Sequence, residues 1–178
     1  LVGPTGGGKT NIFKNLRLSL DVTVGVPHKD VRLNPKAIRA QEMYGEMDLA
    51  SGEWTTGVFA AIWAKFNNRS NPFNTWIIND GPVDAIWIEN MNTVLDDNKK
   101  LCLNSGEIIK LTGTMTMMFE PEDLQAASPA TVSRNGMVLM EPHMLEWTSI
   151  MESWFELLPP SLEGSKEKFQ ALFEHFVP

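Results

Sequence analysis

The residues Gly3-Pro4-Thr5-Gly6-Gly7-Gly8-Lys9-Thr10, at the start of the chain, constrain it more than any other stretch, because they carry the spacing G-x-x-x-x-G-K-[ST]. Glycines without a Cβ let the backbone turn tightly. Successive N–H groups can then face one concavity, and the positive end of a following helix adds to the field there. The ligand such a loop suits is a polyphosphate, with Lys9 on the outer phosphates and the Thr10 hydroxyl on Mg²⁺. A glycine-rich turn that binds nothing is the plain alternative. The flanks favour the loop, since Ile12, Phe13, Leu16 and Leu20 recur at helical spacing after it. A buried strand should precede it, of which Leu1 and Val2 remain. A chain opening Leu-Val-Gly-Pro with no initiating Met is expected to be a piece of a larger protein.

Composition limits what else the chain can do. Its 178 residues suit one sizeable core, and 15 Lys and Arg against 22 Asp and Glu give a formal charge of −7. That balance argues against broad contact with nucleic acid or an acidic membrane, so any anion must be held locally. A single cysteine, Cys102, and three scattered histidines supply neither a disulfide framework nor a four-ligand zinc site, and a reducing compartment is the default. No apolar run approaches the roughly 18 residues of a membrane span.

The remaining pattern predicts layered α/β architecture. Val22 to Leu33 reads as a connection ending in a short strand near Val31 to Leu33, and Asn34-Pro35 opens a helical segment through Met43. Two glycines, Gly45 and Gly52, interrupt that helix with a turn or small hairpin, and helical spacing resumes with Trp54, Val58, Phe59, Ile62, Trp63 and Phe66. A polar loop over 67–74 leads into Thr75-Trp76-Ile77-Ile78-Asn79-Asp80, a buried parallel strand. A hairpin is expected around Asn104-Ser105-Gly106, a second buried strand over Thr114 to Phe119, a short helix in Ser128 to Gly136, and a last strand over Met137 to Met140. Two amphipathic helices follow, with stripes Trp147, Ile150, Met151, Trp154, Phe155, Leu158 and Phe169, Leu172, Phe173, Phe176.

In a nucleotide-binding α/β sheet, ligands lie beyond the carboxyl ends of the strands. Asp80 ends one strand and is placed to orient a Mg²⁺-bound water, and Glu120 ends another. Alone, Asp80 would read as an ordinary cap of the next turn. Gly81 follows it, and glycine can neither position nor deprotonate a water. Asp84 and Glu89 lie near in sequence, but Pro82 fixes a turn between them and the strand end. Arg134 precedes the last expected strand. It is a candidate for stabilising a transferring phosphoryl group, or a surface arginine paired with a carboxylate.

Several blocks carry a family resemblance: Asn34-Pro35-Lys36-Ala37-Ile38, Tyr44-Gly45-Glu46, Glu53-Trp54-Thr55, the long run from Asp80 to Lys99, and Ser128-Pro129-Ala130-Thr131-Val132-Ser133-Arg134. They resemble the second AAA+ module of dynein heavy chains, of the axonemal group, from the phosphate loop to at least Pro142. Asn135 stands where that family commonly has Cys, and Asp21 to Leu33 is shorter than its usual connection. The resemblance implies a P-loop AAA+ three-layer sandwich with a parallel sheet over 1–142, its first strand truncated, and the start of a helical lid over 143–178.

The resemblance also implies ATP or ADP with Mg²⁺ as cofactors, bound by Gly3, Pro4, Thr5, Gly6, Gly7, Gly8, Lys9, Thr10, Asp80 and Glu120, with Thr10 and Asp80 on the metal side. It implies a ring of six modules in one chain, with a linker that swings. Partners would be the adjacent modules and linker of the same heavy chain within the dynein complex, and a microtubule reached only through other parts of the parent. The location would be the cytoplasm, the cytoskeleton and the axoneme of a cilium or flagellum. Active relatives place a Glu where Gly81 stands and an Asn where Glu120 stands, so the module would bind nucleotide without turning it over. Arg134 would act in trans as an arginine finger on the neighbouring module. The glycine-interrupted stretch from Tyr44 to Trp54 resembles an insert facing the linker, and the hairpin at Asn104 to Gly106 one ahead of the sensor strand; either could be an inert turn. An independently active P-loop NTPase and a degenerate scaffold are the other readings.

Overall fold

The computed structural model describes residues 1–68 and 70–177. Helix α1 (Lys9–Val24) leaves the glycine loop directly, with Gly8 at φ 80° as its N-cap and Gly25 at φ 70° ending it. It therefore runs past Val22, where a connection was expected. Phe13 is its buried residue, whereas Ile12 and Leu16 of the predicted apolar stripe face outward. Strand β1 (His28–Leu33) likewise begins before Val31. As an edge strand it needs no continuous apolar run, so His28, Lys29 and Asp30 enter the ladder unannounced.

The helix expected from Asn34 is divided. Asn34 caps a short 3-10 turn over Pro35–Ala37, Ile38 is extended, and α2 (Ala40–Tyr44) restarts beyond it. Strands β2 (Gly45–Met47) and β3 (Trp54–Thr56) form the small hairpin, pairing Met47 with Trp54. Trp54 thus belongs to a strand rather than to the following helix, α3 (Val58–Phe66). Strand β4 (Asn74–Asn79) delivers Asp80, and Asp84 caps α4 (Ala85–Glu89), which is followed by α5 (Asn92–Leu95). The predicted second hairpin is β5 (Lys100–Cys102) with β6 (Ile108–Lys110), and β7 (Met115–Phe119) ends at Glu120. Ser128 caps α6 (Pro129–Ser133) by accepting from the Thr131 amide.

The central sheet is parallel in the order β1-β4-β7. Hydrogen bonding continues past β7: the Leu1 amino group donates to Phe119 O at 2.8 Å and Gly3 N to Pro121 O at 3.3 Å. On its far side Val2 meets Leu139 in a parallel bridge, with Val2 N on Val138 O at 2.9 Å and Met140 N on Val2 O at 2.7 Å. The last strand, expected over Met137 to Met140, is reduced to this bridge because only Val2 lies opposite it.

Strand β4 explains the layering. Ile77 points into a core with Met43, Phe59, Trp63, Met91 and Leu101, while Trp76 and Ile78 face the other way onto Phe13 of α1. Alternation with both faces covered makes a helix–sheet–helix sandwich, the mixed α/β arrangement of an AAA+ core followed by helices. Helices α7 (Trp147–Glu156) and α8 (Lys166–Phe176) pack through Trp154, whose ring lies 5.4 Å from Phe169 and 5.8 Å from Phe173. Ile150 and Phe176 of the same stripes stay exposed. No helix among the described residues is long and apolar enough to cross a membrane.

Tyr44 is the only tyrosine of the chain. Its buried hydroxyl donates to Trp87 O at 2.8 Å, and burial pushes its pKa above the usual tyrosine value. A pKa raised on folding contributes stability that is present below the unfolded value and lost as pH rises through the folded one. At about pH 11, beyond the ordinary tyrosine pKa, the tyrosinate absorbance is expected to stay absent while the fold persists, then to appear together with the loss of circular dichroism.

Candidate phosphate-binding site

The loop, the ends of β4 and β7, and the first turn of α1 enclose a cleft of about 480 Å³ lined by Thr5 to Asn11, Asp80, Gly81, Pro82, Glu120 and Glu122. Gly3 and Pro4, expected among the binding residues, do not line it. Two kinds of glycine build the loop. Gly6 and Gly8 adopt left-handed φ values of 91° and 80°. Gly3 and Gly7 instead clear the chain beside them: a Cβ on Gly3 would lie 1.8 Å from Met140 O, and one on Gly7 2.8 Å from the same oxygen.

The cleft offers donors. First-turn amides of a helix have no intrahelical acceptor, and Gly8 has no side chain with which to cap them. Lys9 Nζ donates to the loop's own carbonyls, Gly3 O and Pro4 O, the latter at 3.0 Å. The ammonium is thereby held at the loop and is the only basic side chain among the lining residues.

The acidic side is organised by Arg32, a residue that the sequence reading passed over. Thr10 Oγ1 donates to Glu120 Oε2 at 2.7 Å, and Arg32 Nη1 donates to Glu120 Oε1 at 2.9 Å. Arg32 also lies 3.5 Å from Asp80 Oδ2 and 3.6 Å from Asp30, which pairs with Arg17 of α1 at 2.6 Å. Glu120 is thus an ion-paired carboxylate, and its side chain is 2% exposed. Asp80 is half exposed. The available signal for Arg32 was period two, because Asp30 and Arg32 share one face of a strand leading to the ligand end of the sheet.

The loop amides, the Lys9 ammonium, the Thr10 hydroxyl and the Asp80 carboxylate fit a nucleotide with Mg²⁺, a hard cation that takes oxygen donors and keeps several waters. Among the described residues no group of three or more His, Cys, Asp or Glu could hold a metal by itself.

A side chain at position 81 would have to displace the Asn34 cap. A Cβ there would lie 2.5 Å from Asn34 Oδ1, which is held by the Lys36 amide at 2.9 Å. Neither nearby carboxylate replaces a base. Asp84 accepts from the Ile86 and Trp87 amides and pairs with Lys36 at 2.7 Å, and the Lys36 ammonium holds its carboxyl below the usual range. Glu89 is exposed on α4, and neither residue lines the cleft. Arg134 also lies outside it. The residue ends α6, its Nε donates to Asp96 Oδ1, and it borders a separate cavity of about 420 Å³ beside β7.

No family model matches the chain. Dynein axonemal heavy chain 1 of Homo sapiens is 51% identical over 186 residues, covering 99% of this chain and 4% of that protein. Dynein axonemal heavy chain 3 of Homo sapiens is 49% identical over 183 residues, with the same coverage. The dynein gamma chain of the flagellar outer arm of Chlamydomonas reinhardtii is 48% identical over 161 residues, covering 90% of this chain and 4% of that protein. The chain thus spans about 4% of the length of the curated relatives it matches. Identity near 50% to several paralogues, along almost the whole of this sequence, makes it a member of the axonemal dynein heavy-chain family.

Proposed function

We propose that this chain is the second AAA+ module of an axonemal dynein heavy chain, and that it binds ATP or ADP with Mg²⁺ without hydrolysing ATP. The observation that supports this most is the pairing of a phosphate cleft with a closed position 81. The cleft has loop amides, an ammonium and strand-end carboxylates, while Asn34 fills the space where a side chain after Asp80 would stand. In phosphoryl transfer, positioning the attacking group is much of the catalytic work, and Gly81, at the position after Asp80, supplies no side chain to do it as a base.

Within the cleft, the loop amides and Lys9 would hold the phosphates. Thr10 and Asp80 would face the metal, which neutralises phosphate charge when bound. The large subdomain would be 1–142 and the beginning of a helical lid 143–178. Arg134 would leave Asp96 to reach the nucleotide of the neighbouring module, since its own cleft does not contain it. Adjacent modules and the linker of the same heavy chain are the partners this role requires. The setting is the axoneme of a cilium or flagellum, where the relatives' names place them.

Calorimetric titration of ATP, read together with phosphate release, tests the proposal. Binding with no release above background is the expected result. Release abolished by Asp80→Ala would establish the independently active NTPase instead, and failure to bind would leave a scaffold. In the full-length heavy chain, Arg134→Ala is expected to slow ATP turnover at the neighbouring site, and unchanged turnover refutes the finger.

A further inference from the structure

Thr10 has one hydroxyl proton, and the structure commits it. Its partner, Glu120 Oε2 at 2.7 Å, belongs to a carboxylate whose other oxygen receives Arg32 at 2.9 Å. An ion-paired carboxylate only accepts, so Thr10 must donate and the lone pairs of its Oγ1 turn away from Glu120. With the Glu120 side chain 2% exposed, water does not compete for either oxygen. Asp80 is differently placed: its carboxylate is half exposed and 3.5 Å from Arg32, and no hydrogen bond joins it to Thr10. P-loop proteins generally share their metal between the loop Ser or Thr and a strand-end Asp. Here the strand-end carboxylate fixed on the hydroxyl comes from β7 instead of β4.

We propose that Glu120 orients the Thr10 hydroxyl toward a nucleotide-bound divalent cation, and that Arg32 is the positioning residue that holds Glu120 to this task. The proposal rests on the nucleotide-binding reading above. It carries a charge argument as well. A polyphosphate arriving without a cation meets Asp80 and Glu122, together with a Glu120 already paired to Arg32, against the single ammonium of Lys9 among the lining residues. Affinity therefore depends on the cation, and that dependence passes through Thr10. In Glu120→Gln, Arg32 claims the amide oxygen and leaves the NH₂ group facing Thr10. The hydroxyl must then accept, and its proton swings toward the cation. An isosteric change thus inverts the hydroxyl.

The test compares the affinity for a fluorescent ATP analogue in Mg²⁺ with that in EDTA, using protein whose fold is verified by circular dichroism. Glu120→Gln is expected to lower the Mg²⁺-to-EDTA affinity ratio by about tenfold or more, the usual cost of removing a partner behind a metal ligand. Its affinity in EDTA should rise, because one carboxylate is gone and the Arg32 charge is no longer neutralised by it. Glu120→Asp, which keeps the charge but withdraws the oxygen from Thr10, should lower the ratio in the same direction and serves if Gln does not fold. Asp80→Asn should lower it less than either. A larger fall in Asp80→Asn, or a ratio unchanged in both Glu120 variants, overturns the assignment while leaving nucleotide binding intact. An unsubstituted chain that binds in neither condition overturns the nucleotide reading, and this assignment with it.

Discussion

Lys9→Ala is expected to weaken ATP binding by at least about a hundredfold, roughly 2.8 kcal/mol at 1.4 kcal/mol per tenfold, while barely changing thermal stability. The two effects separate because of where the ammonium lies. In the structure Lys9 Nζ bonds only the carbonyls of Gly3 and Pro4, at the edge of an open cleft. Water can replace it there, so the net loss is about 1 kcal/mol, the worth of an ordinary hydrogen bond. For a domain of this size that is a shift of about 2–4 °C in Tm. Against a bound phosphate the same group would make charge-assisted bonds in a cleft whose other charged lining residues, Asp80, Glu120 and Glu122, are all acidic. Titration calorimetry and a thermal melt on one preparation check both halves. A loss of less than tenfold in affinity would mean that phosphates do not sit on Lys9.

Gly3→Ala should act in the opposite manner, removing stability first and binding as a consequence. The added Cβ would lie 1.8 Å from Met140 O and 2.8 Å from Met140 C, both main-chain atoms, on a residue whose φ of 154° already disfavours a side chain. Neither strand can yield freely. Met140 N is bonded to Val2 O at 2.7 Å, and Gly3 N to Pro121 O, so any retreat breaks sheet hydrogen bonds. Urea denaturation is expected to show a loss of about 3–5 kcal/mol, in the range reserved for severe core or backbone lesions. Gly6→Ala is the control. Nothing lies within 4 Å of the added Cβ, so only the left-handed backbone at φ 91° opposes it, at about 1–2 kcal/mol. Equal losses at the two positions would show that conformation, not the Met140 contact, governs the loop.

The elements legible in the sequence were those with strong local signals. The glycine loop, the run from Thr75 to Asp80, the turn at Asn104 to Gly106 and the start of the short helix at Pro129 each carry a punctuating residue, and each appears at its expected place, although that helix ends at Ser133, short of Gly136. Strand β1 was misjudged at its start because parallel pairing with β4, a nonlocal interaction, stabilises the polar residues His28 to Asp30. Ile12 and Leu16 lie on the expected helix but stay exposed, because α1 buries little beyond Phe13 and periodicity cannot report how much of a stripe its neighbours cover. At the site, Thr5 to Thr10 of the motif and the strand-end residues Asp80 and Glu120 line one cleft, whereas Gly3 and Pro4 do not. Arg32 escaped because its role depends on three strand ends meeting in space, which no linear spacing records. The packing role of Gly3 and Gly7 escaped for a similar reason: the motif accounts for glycine through the phosphate, whereas Met140 is the nearer neighbour.

That crossing ties the loop to the chain that leads toward α7. Met140 O lies too close to Gly3 and Gly7 for any side chain to fit between, and an added Cβ on Gly8 would lie 3.0 Å from Leu145 Cδ1. The glycine loop and the run that enters the two aromatic helices therefore meet main chain to main chain at Met140, a junction that only residues without a side chain can occupy.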